Sequence, residues 1–160
     1  MFTDEQFTCL AKKYIDTVFR VALNYLKNGE EADDVTQNVF LKLWKEKKPF
    51  DSEEHIRNWL IRVTINECKN LTRSKWWRSE SLEDHAAKLT FENPAHSELY
   101  DAVMGLPKKY RLPIYLHYYE GYSTAEIGEL LRMPKNTVCS NLKRGRELLK
   151  SMLQEAKNDV

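Results

Sequence analysis

The chain contains 160 residues, of which 42% are hydrophobic and 31% are charged, and its formal net charge is +1. That length accommodates one domain or two small ones. Its apolar runs span only a few residues, whereas a helix that crosses a bilayer needs about 20, so we expect no direct insertion into a membrane. Residues 1–5 include no basic residue ahead of an apolar stretch, which predicts no secretory signal and a cytoplasmic location.

Cysteine and histidine are few and scattered. The cysteines Cys9, Cys68 and Cys139 lie far apart, and neither they nor the four histidines have the spacing of metal ligands. An odd number of unclustered cysteines is typical of a reducing compartment. We therefore expect no metal and no other cofactor. The cysteines are interpreted as ordinary small side chains, with a redox role for one of them left open.

The charges are distributed unevenly along the chain. Residues 57–78 carry six basic side chains and one acidic one, a balance of +5, and residues 135–150 carry five and one, a balance of +4. Residues 80–98 carry five acids and one lysine, a balance of −4. Two basic segments on either side of an acidic one are what phosphate binding at two separate places requires.

The first half of the chain predicts three helices. Apolar residues recur at three- and four-residue spacing from Phe7 to Leu26, and the Asn28-Gly29 pair is expected to end this first helix with the glycine in the left-handed conformation. A second helix begins with a cluster of acids, which the helix dipole favours, and continues to about Leu43.

The third helix follows a break at residues 47–51, and either Asp51 or Ser52 is expected to cap it. It ends near the adjacent pair Trp76 and Trp77, which cannot both face one core. The residues expected on its inner face are Ile56, Trp59, Leu60, Val63 and Leu71.

Residues 79–95 are acidic and polar with weak periodicity, which predicts a linker. Helical patterns then cover residues 98–104 and 108–119. Ser123 and Glu126 form a capping-box pattern that opens a short helix, and a last helix is expected over residues 136–153. No stretch shows the alternation of a strand. The sequence therefore predicts an all-α fold of two small helical domains, residues 1–78 and 96–160, joined by the acidic linker.

Residues 123–149 have the spacing of a helix-turn-helix motif, whose second helix enters the major groove of duplex DNA. Val138, Leu142 and Leu149 are expected to face the core. Thr137 suits a phosphate contact, because free backbone N–H groups lie at a helix start. The residues expected on the DNA-facing surface are Lys135, Thr137, Ser140, Asn141, Lys143, Arg144 and Arg146. An ordinary helical hairpin with a solvated basic face is the alternative, and the coincidence of cap, turn and charge favours DNA binding.

The sequence indicates two further surfaces. The third helix places basic residues beside tryptophans, a combination suited to single-stranded nucleic acid, where aromatic rings stack on bases. Trp59 belongs to the apolar stripe and is expected in the core, whereas Trp76 and Trp77 remain open between the two roles. Asp34, Gln37 and Leu41 share one face of the second helix, which indicates either a docking surface or a plain solvated face.

These segments, in this order, resemble the extracytoplasmic-function sigma factors of the sigma-70 family. Residues 32–44 (ADDVTQNVFLKLW) resemble the conserved second region of that family, and residues 56–63 (IRNWLIRV) followed by Asn66 resemble its promoter-melting helix. Four segments resemble the fourth region of that family, and they are Leu106-Pro107, Tyr110-Arg111, Tyr118-Tyr119-Glu120-Gly121-Tyr122-Ser123 and Glu126-Ile127. The resemblance covers nearly the whole chain apart from the linker and the last few residues.

The resemblance implies a function and a set of partners. The chain would be an alternative sigma factor that binds core RNA polymerase, at the clamp helices of the largest subunit and the flap of the β subunit, and directs promoter-specific transcription initiation. The residues implied in docking on the clamp helices are Asp34, Gln37, Asn38 and Leu41. An anti-sigma factor is a further expected partner, and the linker would enter the basic channels of the polymerase.

The resemblance also implies how promoter DNA is recognised. The loop 45–54 and the third helix would open the −10 element and hold a flipped base. The residues implied there are Arg57, Asn58, Arg62, Asn66, Lys69 and Arg73. The helix-turn-helix motif would read the −35 element. The chain departs from the family pattern at Asn38, where an acid is usual, and at Gly145, where an alanine is usual and where glycine costs up to about 1 kcal/mol of helix stability.

Two other classes of function remain as alternatives. A stand-alone helix-turn-helix regulator would bind an operator without polymerase, but such proteins usually dimerise, and no dimerisation segment is evident beyond the two domains. A nuclease would need acids gathered with histidines or metal ligands in a basic pocket, whereas the acids here lie at helix starts and in the linker. We therefore expect a protein that binds and recruits and is not an enzyme.

Overall fold

The computed structural model describes residues 2–78 and 97–158, and within them the chain forms seven α-helices and no strand. The all-α prediction is confirmed. The chain divides into two compact units, Met1–Leu89 and Thr90–Val160. The predicted linker, residues 79–95, lies outside the described residues, as do the side chains of Trp76 and Trp77.

The first unit is a three-helix bundle of α1 (Asp4–Leu26), α2 (Gly29–Lys45) and α3 (Glu53–Arg78), in which each helix contacts the other two. Thr3 and Gln6 cap the start of α1 reciprocally, with the Gln6 N–H donating to Thr3 Oγ1 at 3.1 Å and the Thr3 N–H to Gln6 Oε1 at 3.0 Å. The fully buried apolar side chains of the core include Val18, Val21, Ala22, Ala32, Val39, Leu43 and Ile61.

The turn between α1 and α2 differs from the prediction. Lys27, and not Gly29, adopts the left-handed conformation, with φ at 54°, and its N–H donates to the Leu23 carbonyl. Asn28 is extended and caps α2 by accepting from the Glu31 N–H at 3.1 Å, so Gly29 is already the first helical residue. Because Asn28 is needed as a cap, the left-handed position moves one residue before it.

The start of α3 agrees with the prediction, whereas its inner face is wider than predicted. Ser52 is the cap, since its Oγ accepts from the His55 N–H at 3.1 Å. Ile56 and Leu60 are buried as expected, but Trp59, Val63 and Leu71 are only half-buried. The buried positions that the pattern missed are Ile61, Thr64, Ile65 and Cys68. Because both α1 and α2 pack on α3, a wider arc of its surface is covered than one stripe.

The second unit consists of α4 (Ser97–Met104), α5 (Lys108–Tyr118), α6 (Thr124–Leu131) and α7 (Lys135–Asn158). The other three helices all pack on α7, which extends five residues beyond its predicted end. The core includes Val103, Leu106, Ile114, Leu116, Ile127, Val138 and Leu142. This packing supports the helix-turn-helix segment from behind.

A buried guanidinium fixes the turn between α4 and α5. Arg111 is 4% exposed, and its Nη1 donates a hydrogen bond of 2.8 Å to the Leu106 carbonyl oxygen. Burial lowers the pKa of Arg111 from its ordinary value, with the Tyr100 hydroxyl opposing that change. The hydrogen bond therefore replaces some of the hydration that the buried cation loses.

The turn between α5 and α6 is held by hydrogen bonds from both sides. The Tyr122 N–H donates to the Leu116 carbonyl at 3.0 Å, and His117 Nδ1 lies 2.7 Å from the Tyr122 carbonyl oxygen. Gly121 has a φ of 78°, a backbone conformation that residues with a Cβ rarely adopt. The turn leads directly to Ser123, the residue that caps the start of α6.

Gly145 has a packing role that helix propensity does not reveal. It is buried on α7, where a Cβ atom would lie 2.9 Å from Ile114 Cγ1 and 3.3 Å from Tyr110 Cβ. Both contacts are shorter than ordinary van der Waals distances. The glycine therefore permits a closer approach of α5 to α7 than an alanine would allow.

Candidate nucleic-acid and polymerase interfaces

The helix-turn-helix segment has the geometry that its sequence predicts. The Glu126 N–H donates to Ser123 Oγ at 3.2 Å and the Ser123 N–H to Glu126 Oε1 at 3.1 Å, which confirms the capping box at the start of α6. Arg132 ends α6 in the left-handed conformation, with φ at 56°. The Met133 N–H then donates to the Gly128 carbonyl at 2.9 Å, so the turn closes back on α6 before α7 begins.

Gly128 permits this tight turn. It is buried in α6, and a Cβ there would lie 2.9 Å from the Met133 carbonyl oxygen, a backbone atom that cannot move aside independently of the turn. The glycine thereby allows α7 to follow α6 through this tight turn.

The outer face of α7 carries the residues predicted for the −35 element. Val138, Leu142 and Leu149 are buried, as expected from the pattern. Six of the seven predicted DNA-facing residues are exposed, and Asn141 is half-buried. The exposed six are Lys135, Thr137, Ser140, Lys143, Arg144 and Arg146. Thr137 is the third residue of α7 and lies within its first turn, where backbone N–H groups lack helical partners.

Two cations of this face also have partners within the protein. Arg146 Nη1 donates to the Tyr118 hydroxyl at 3.1 Å, and Arg144 Nη1 lies 3.8 Å from a carboxylate oxygen of Glu147. Both pairs are exposed, and the Arg144 side chain keeps 65% of its surface accessible. Exposed pairs of this kind stabilise by about 0–1 kcal/mol, so either guanidinium can exchange its partner for a phosphate at little cost.

The exposed face of α2 contains the four residues implied in polymerase docking. Asp34, Gln37, Asn38 and Leu41 are all exposed, and Leu41 keeps 53% of its surface accessible. A single exposed leucine is common on protein surfaces, so Leu41 indicates a docking surface only together with other apolar groups beside it.

The prediction omitted Trp44 from this face. It lies three residues after Leu41, on the same side of α2, and is 43% exposed. Its ring packs edge-on against Phe7 of α1, with centroids 5.0 Å apart. The spacing 37, 41, 44 would have revealed it, and tryptophan is enriched among the residues that dominate protein interfaces.

Beside this face, a salt bridge connects α2 to α3. Lys42 Nζ pairs with the carboxylate of Glu67, whose side chain is largely covered. Lys42 follows Leu41 directly, so the pair connects the exposed face of α2 to α3.

The six residues predicted for the −10 element lie along α3 with different exposures. Arg62, Asn66 and Arg73 are exposed, whereas Arg57, Asn58 and Lys69 are half-buried. Trp59, which was expected in the core, is half-buried and packs edge-on against Phe50 with centroids 5.7 Å apart. The helix therefore presents both charged and aromatic groups beside the loop that precedes it.

The first turn of α3 is anchored to α1 through one carboxylate. Tyr14 donates its hydroxyl to Glu53 Oε1 at 3.0 Å, and Lys13 pairs with the same oxygen. The hydrogen bonds from Lys13 and then Tyr14 lower the pKa of Glu53, and burial, followed by the hydrogen bond to Glu53, raises the pKa of Tyr14. Glu53 is thus stabilised as a carboxylate.

Over residues 2–78 and 97–158, no group of three or more His, Cys, Asp or Glu side chains is placed to hold a metal ion. Cys9 and Cys139 are exposed and Cys68 is buried, and none of the three forms a disulfide. None of the described helices is long and apolar enough to cross a membrane.

Comparison with known families assigns the two units. The Sigma-70 region 2 model matches residues 10–78, and the Sigma-70 region 4 model matches residues 96–149. The chain belongs to the sigma-70 family. It is 27% identical to the ECF RNA polymerase sigma factor SigW of Bacillus subtilis, over 94% of this chain and 90% of that one. It is 28% identical to the RNA polymerase sigma-H factor of Pseudomonas aeruginosa, over 92% and 86% of the two chains.

A solved structure has the same fold. The sigma factor RpoE of Bartonella quintana, crystallised in complex with the anti-sigma factor NepR, aligns with a TM-score of 0.74 and 19% identity over 92% of this chain and 96% of that chain. The family models and these relatives confirm the predicted resemblance to extracytoplasmic-function sigma factors. The protein is an alternative sigma factor that binds core RNA polymerase and directs promoter-specific transcription initiation, and the stand-alone regulator is not favoured.

Proposed function

We propose that this sigma factor divides its work among three surfaces. Residues 1–78 form the polymerase-docking and −10 domain, residues 79–95 link it to the rest, and residues 96–160 form the −35 domain. The exposed face of α2 docks on the clamp helices of the largest polymerase subunit. The loop after α2 and the basic face of α3 hold the parted −10 strand, and α7 reads the −35 duplex.

The observation that carries the docking proposal is the exposure of Leu41 and Trp44 on a face that is otherwise polar. Two large apolar side chains are kept accessible there, at 53% and 43%, although α2 has a complete buried face elsewhere. Burying such residues against a partner contributes about 25 cal/mol per Å² of apolar surface. Gln37 and Asp34 supply polar contacts one and two turns before Leu41 on the same helix.

The docking proposal is tested with the double variant Asp34→Ala/Leu41→Ala. Association with core polymerase is measured by native gel shift or by surface plasmon resonance. We expect a loss of affinity of at least a hundredfold, because a buried apolar anchor and a charged contact are removed together. Circular dichroism should show an unchanged helical fold, since both side chains are exposed.

A matched control removes an exposed apolar side chain and an exposed aspartate from another helix. Ile15 is 46% exposed on α1 and is followed by the exposed Asp16. The variant Ile15→Ala/Asp16→Ala should keep wild-type affinity for the polymerase. Equal effects of the two double variants, or no effect of either, would contradict the assigned face.

For the −10 element, the proposal rests on the balance of +5 over residues 57–78 and on the exposure of Arg62, Asn66 and Arg73. A flipped base costs a few kcal/mol of stacking, and basic side chains along the parted strand offset part of it. Arg62→Ala should therefore slow the opening of duplex promoters more than it weakens binding to DNA that is already single-stranded at the −10 element. Fluorescence of 2-aminopurine in the −10 element reports that opening.

An anti-sigma factor is the further partner that we propose. The structurally similar RpoE of Bartonella quintana was crystallised with the anti-sigma factor NepR, and a protein that covers the α2 face would block polymerase docking. We also infer that the chain acts in the cytoplasm and that it contacts the flap of the polymerase β subunit. We infer that it performs no catalytic chemistry itself. Competition between core polymerase and an anti-sigma factor encoded near this gene tests the shared surface.

A further inference from the structure

The loop between α2 and α3, residues 46–52, is held by one aromatic side chain. Residues 47–49 and 51–52 are exposed, whereas Phe50 is half-buried. The Phe50 ring contacts three other rings. It stacks on Phe2 with centroids 5.9 Å apart and planes at 20°, and it meets His55 and Trp59 edge-on at 5.1 and 5.7 Å.

These contacts reach the loop from two sides. His55 and Trp59 belong to the first turns of α3, whereas Phe2 precedes α1. The capping box of Thr3 fixes the start of α1 and with it the position of Phe2. An apolar residue directly before a capping box commonly packs on the fourth residue of the helix. In this chain those two residues are Phe2 and Phe7. Here the Phe7 ring faces Phe40 and Trp44, and the Phe2 ring lies on the loop.

Hydrogen bonds fix the backbone around the aromatic contact. The Asp51 N–H donates to His55 Nδ1 at 3.1 Å, so the same histidine that packs on Phe50 also holds the following residue. The Lys48 N–H donates to Glu46 Oε1 at 3.1 Å. With both ends of the loop bonded and Phe50 held in the middle, the exposed residues 47–49 keep one orientation relative to α3.

We propose that Phe2, Phe50 and Trp59 are positioning residues for recognition of the −10 element. They fix the position and orientation of the loop relative to α3. The exposed residues 47–49 therefore contact the separated DNA strand from one defined position. A site whose supporting residues are loose loses selectivity when its groups shift by about 1 Å. This inference rests on the proposed role of the loop in −10 recognition, and it adds Phe2, which lies outside both the loop and α3.

The test uses the full-length chain reconstituted with core polymerase. Transcription is measured on promoters that carry every single-base change in the −10 element behind one fixed −35 element. Aromatic pairs contribute about 0.5–1.5 kcal/mol beyond their buried area, so Phe2→Ala should reduce discrimination between the best −10 sequence and its single-base variants about three- to tenfold. Phe2→Tyr preserves the stacked ring and should retain the wild-type preferences. Phe50→Leu keeps an apolar side chain in the loop and should reproduce the effect of Phe2→Ala.

The outcomes separate this inference from the proposed function. Discrimination on a matching set of −35 variants should be unchanged in Phe2→Ala, and an equal loss at both elements would show a merely structural role and overturn the inference. Lys47→Ala/Lys48→Ala changes the exposed loop directly. If that variant alters −10 preference while Phe2→Ala and Phe50→Leu do not, the positioning role is wrong and the loop assignment stands. If none of these variants alters −10 preference, the loop assignment itself is wrong and the inference falls with it.

Discussion

Arg146 of α7 donates a hydrogen bond of 3.1 Å to the hydroxyl of Tyr118 at the end of α5. Tyr118 is 55% exposed and its ring packs edge-on against His117, with centroids 4.8 Å apart. A residue that the sequence predicts as a DNA contact therefore also joins two helices of the second unit. Which role dominates can be decided by experiment.

If Arg146 contacts a phosphate, Arg146→Ala should weaken binding to a −35 duplex about three- to tenfold and reduce the slope of log affinity against log salt by about 1. Tyr118→Phe removes only the hydrogen bond to the guanidinium and should change affinity less than about twofold. The loss from Arg146→Ala should be the same in the Tyr118→Phe background. A loss that disappears in that background would mean that Arg146 acts only through Tyr118.

Lys143 and Arg144 lie side by side on the exposed face of α7. The double variant Lys143→Ala/Arg144→Ala should weaken −35 binding about 10- to 100-fold and flatten its salt dependence, because two phosphate-neutralising charges are lost. Fluorescence anisotropy over a range of salt concentrations measures both quantities. Lys12→Ala/Arg20→Ala removes the same charge from exposed positions of α1 and should leave binding unchanged. Equal losses in the two variants would show that only net charge matters.

Gly145→Ala should destabilise the second unit by about 1–3 kcal/mol, although alanine is the better helix former, because its Cβ would lie 2.9 Å from Ile114 Cγ1. Urea denaturation followed by circular dichroism measures the change. In the Ile114→Ala background that atom is absent, and the same substitution should cost much less or become favourable. Ser151→Ala, at an exposed position of the same helix, is the control. If Gly145→Ala stabilises the wild-type protein, the contact of α5 with α7 can accommodate a Cβ at residue 145, which contradicts the packing role of the glycine.

Glu53 provides a prediction about pH. Hydrogen bonds from Lys13 and Tyr14 lower the pKa of Glu53 below its ordinary 4.5. The folded state therefore favours the carboxylate, and this stabilisation is present above the ordinary pKa and is lost as pH falls through the lowered one. Nuclear magnetic resonance titration should give a midpoint below 4.5, and Lys13→Met should raise it. Glu53→Gln should destabilise the protein at neutral pH and have less effect in acid. An unshifted midpoint would contradict the anchoring of α3 to α1.

The fold was largely predictable because helix signals in this chain are local. The Ser123–Glu126 capping box and the buried series Val138, Leu142 and Leu149 can be read from spacing alone, and the structure has both. The left-handed residue before α2 was misplaced, since the pattern marks Gly29 but does not show that Asn28 is needed as a cap.

The interfaces were less predictable because exposure depends on which helices pack together. Ile61 and Ile65 are buried only because α3 is covered by two helices, and the stripe predicted from one face omitted them. Trp44 was omitted because the predicted docking face ended at Leu41, and the structure shows that Trp44 is 43% exposed on the same side of α2. The contact of Phe2 with Phe50 joins residues far apart in sequence, and no spacing rule predicts it.

Run-off transcription with sigma-free core polymerase on a promoter library tests the central claim most directly. Adding the purified chain should direct initiation to a defined set of start sites that share a −35 and a −10 sequence. Substitutions in α7 should change only the preferred −35 sequence, and substitutions in the loop 46–52 only the preferred −10 sequence. If the chain confers no start-site selection at any promoter, including the one ahead of its own gene, the two units do not together recognise promoters and the account is contradicted.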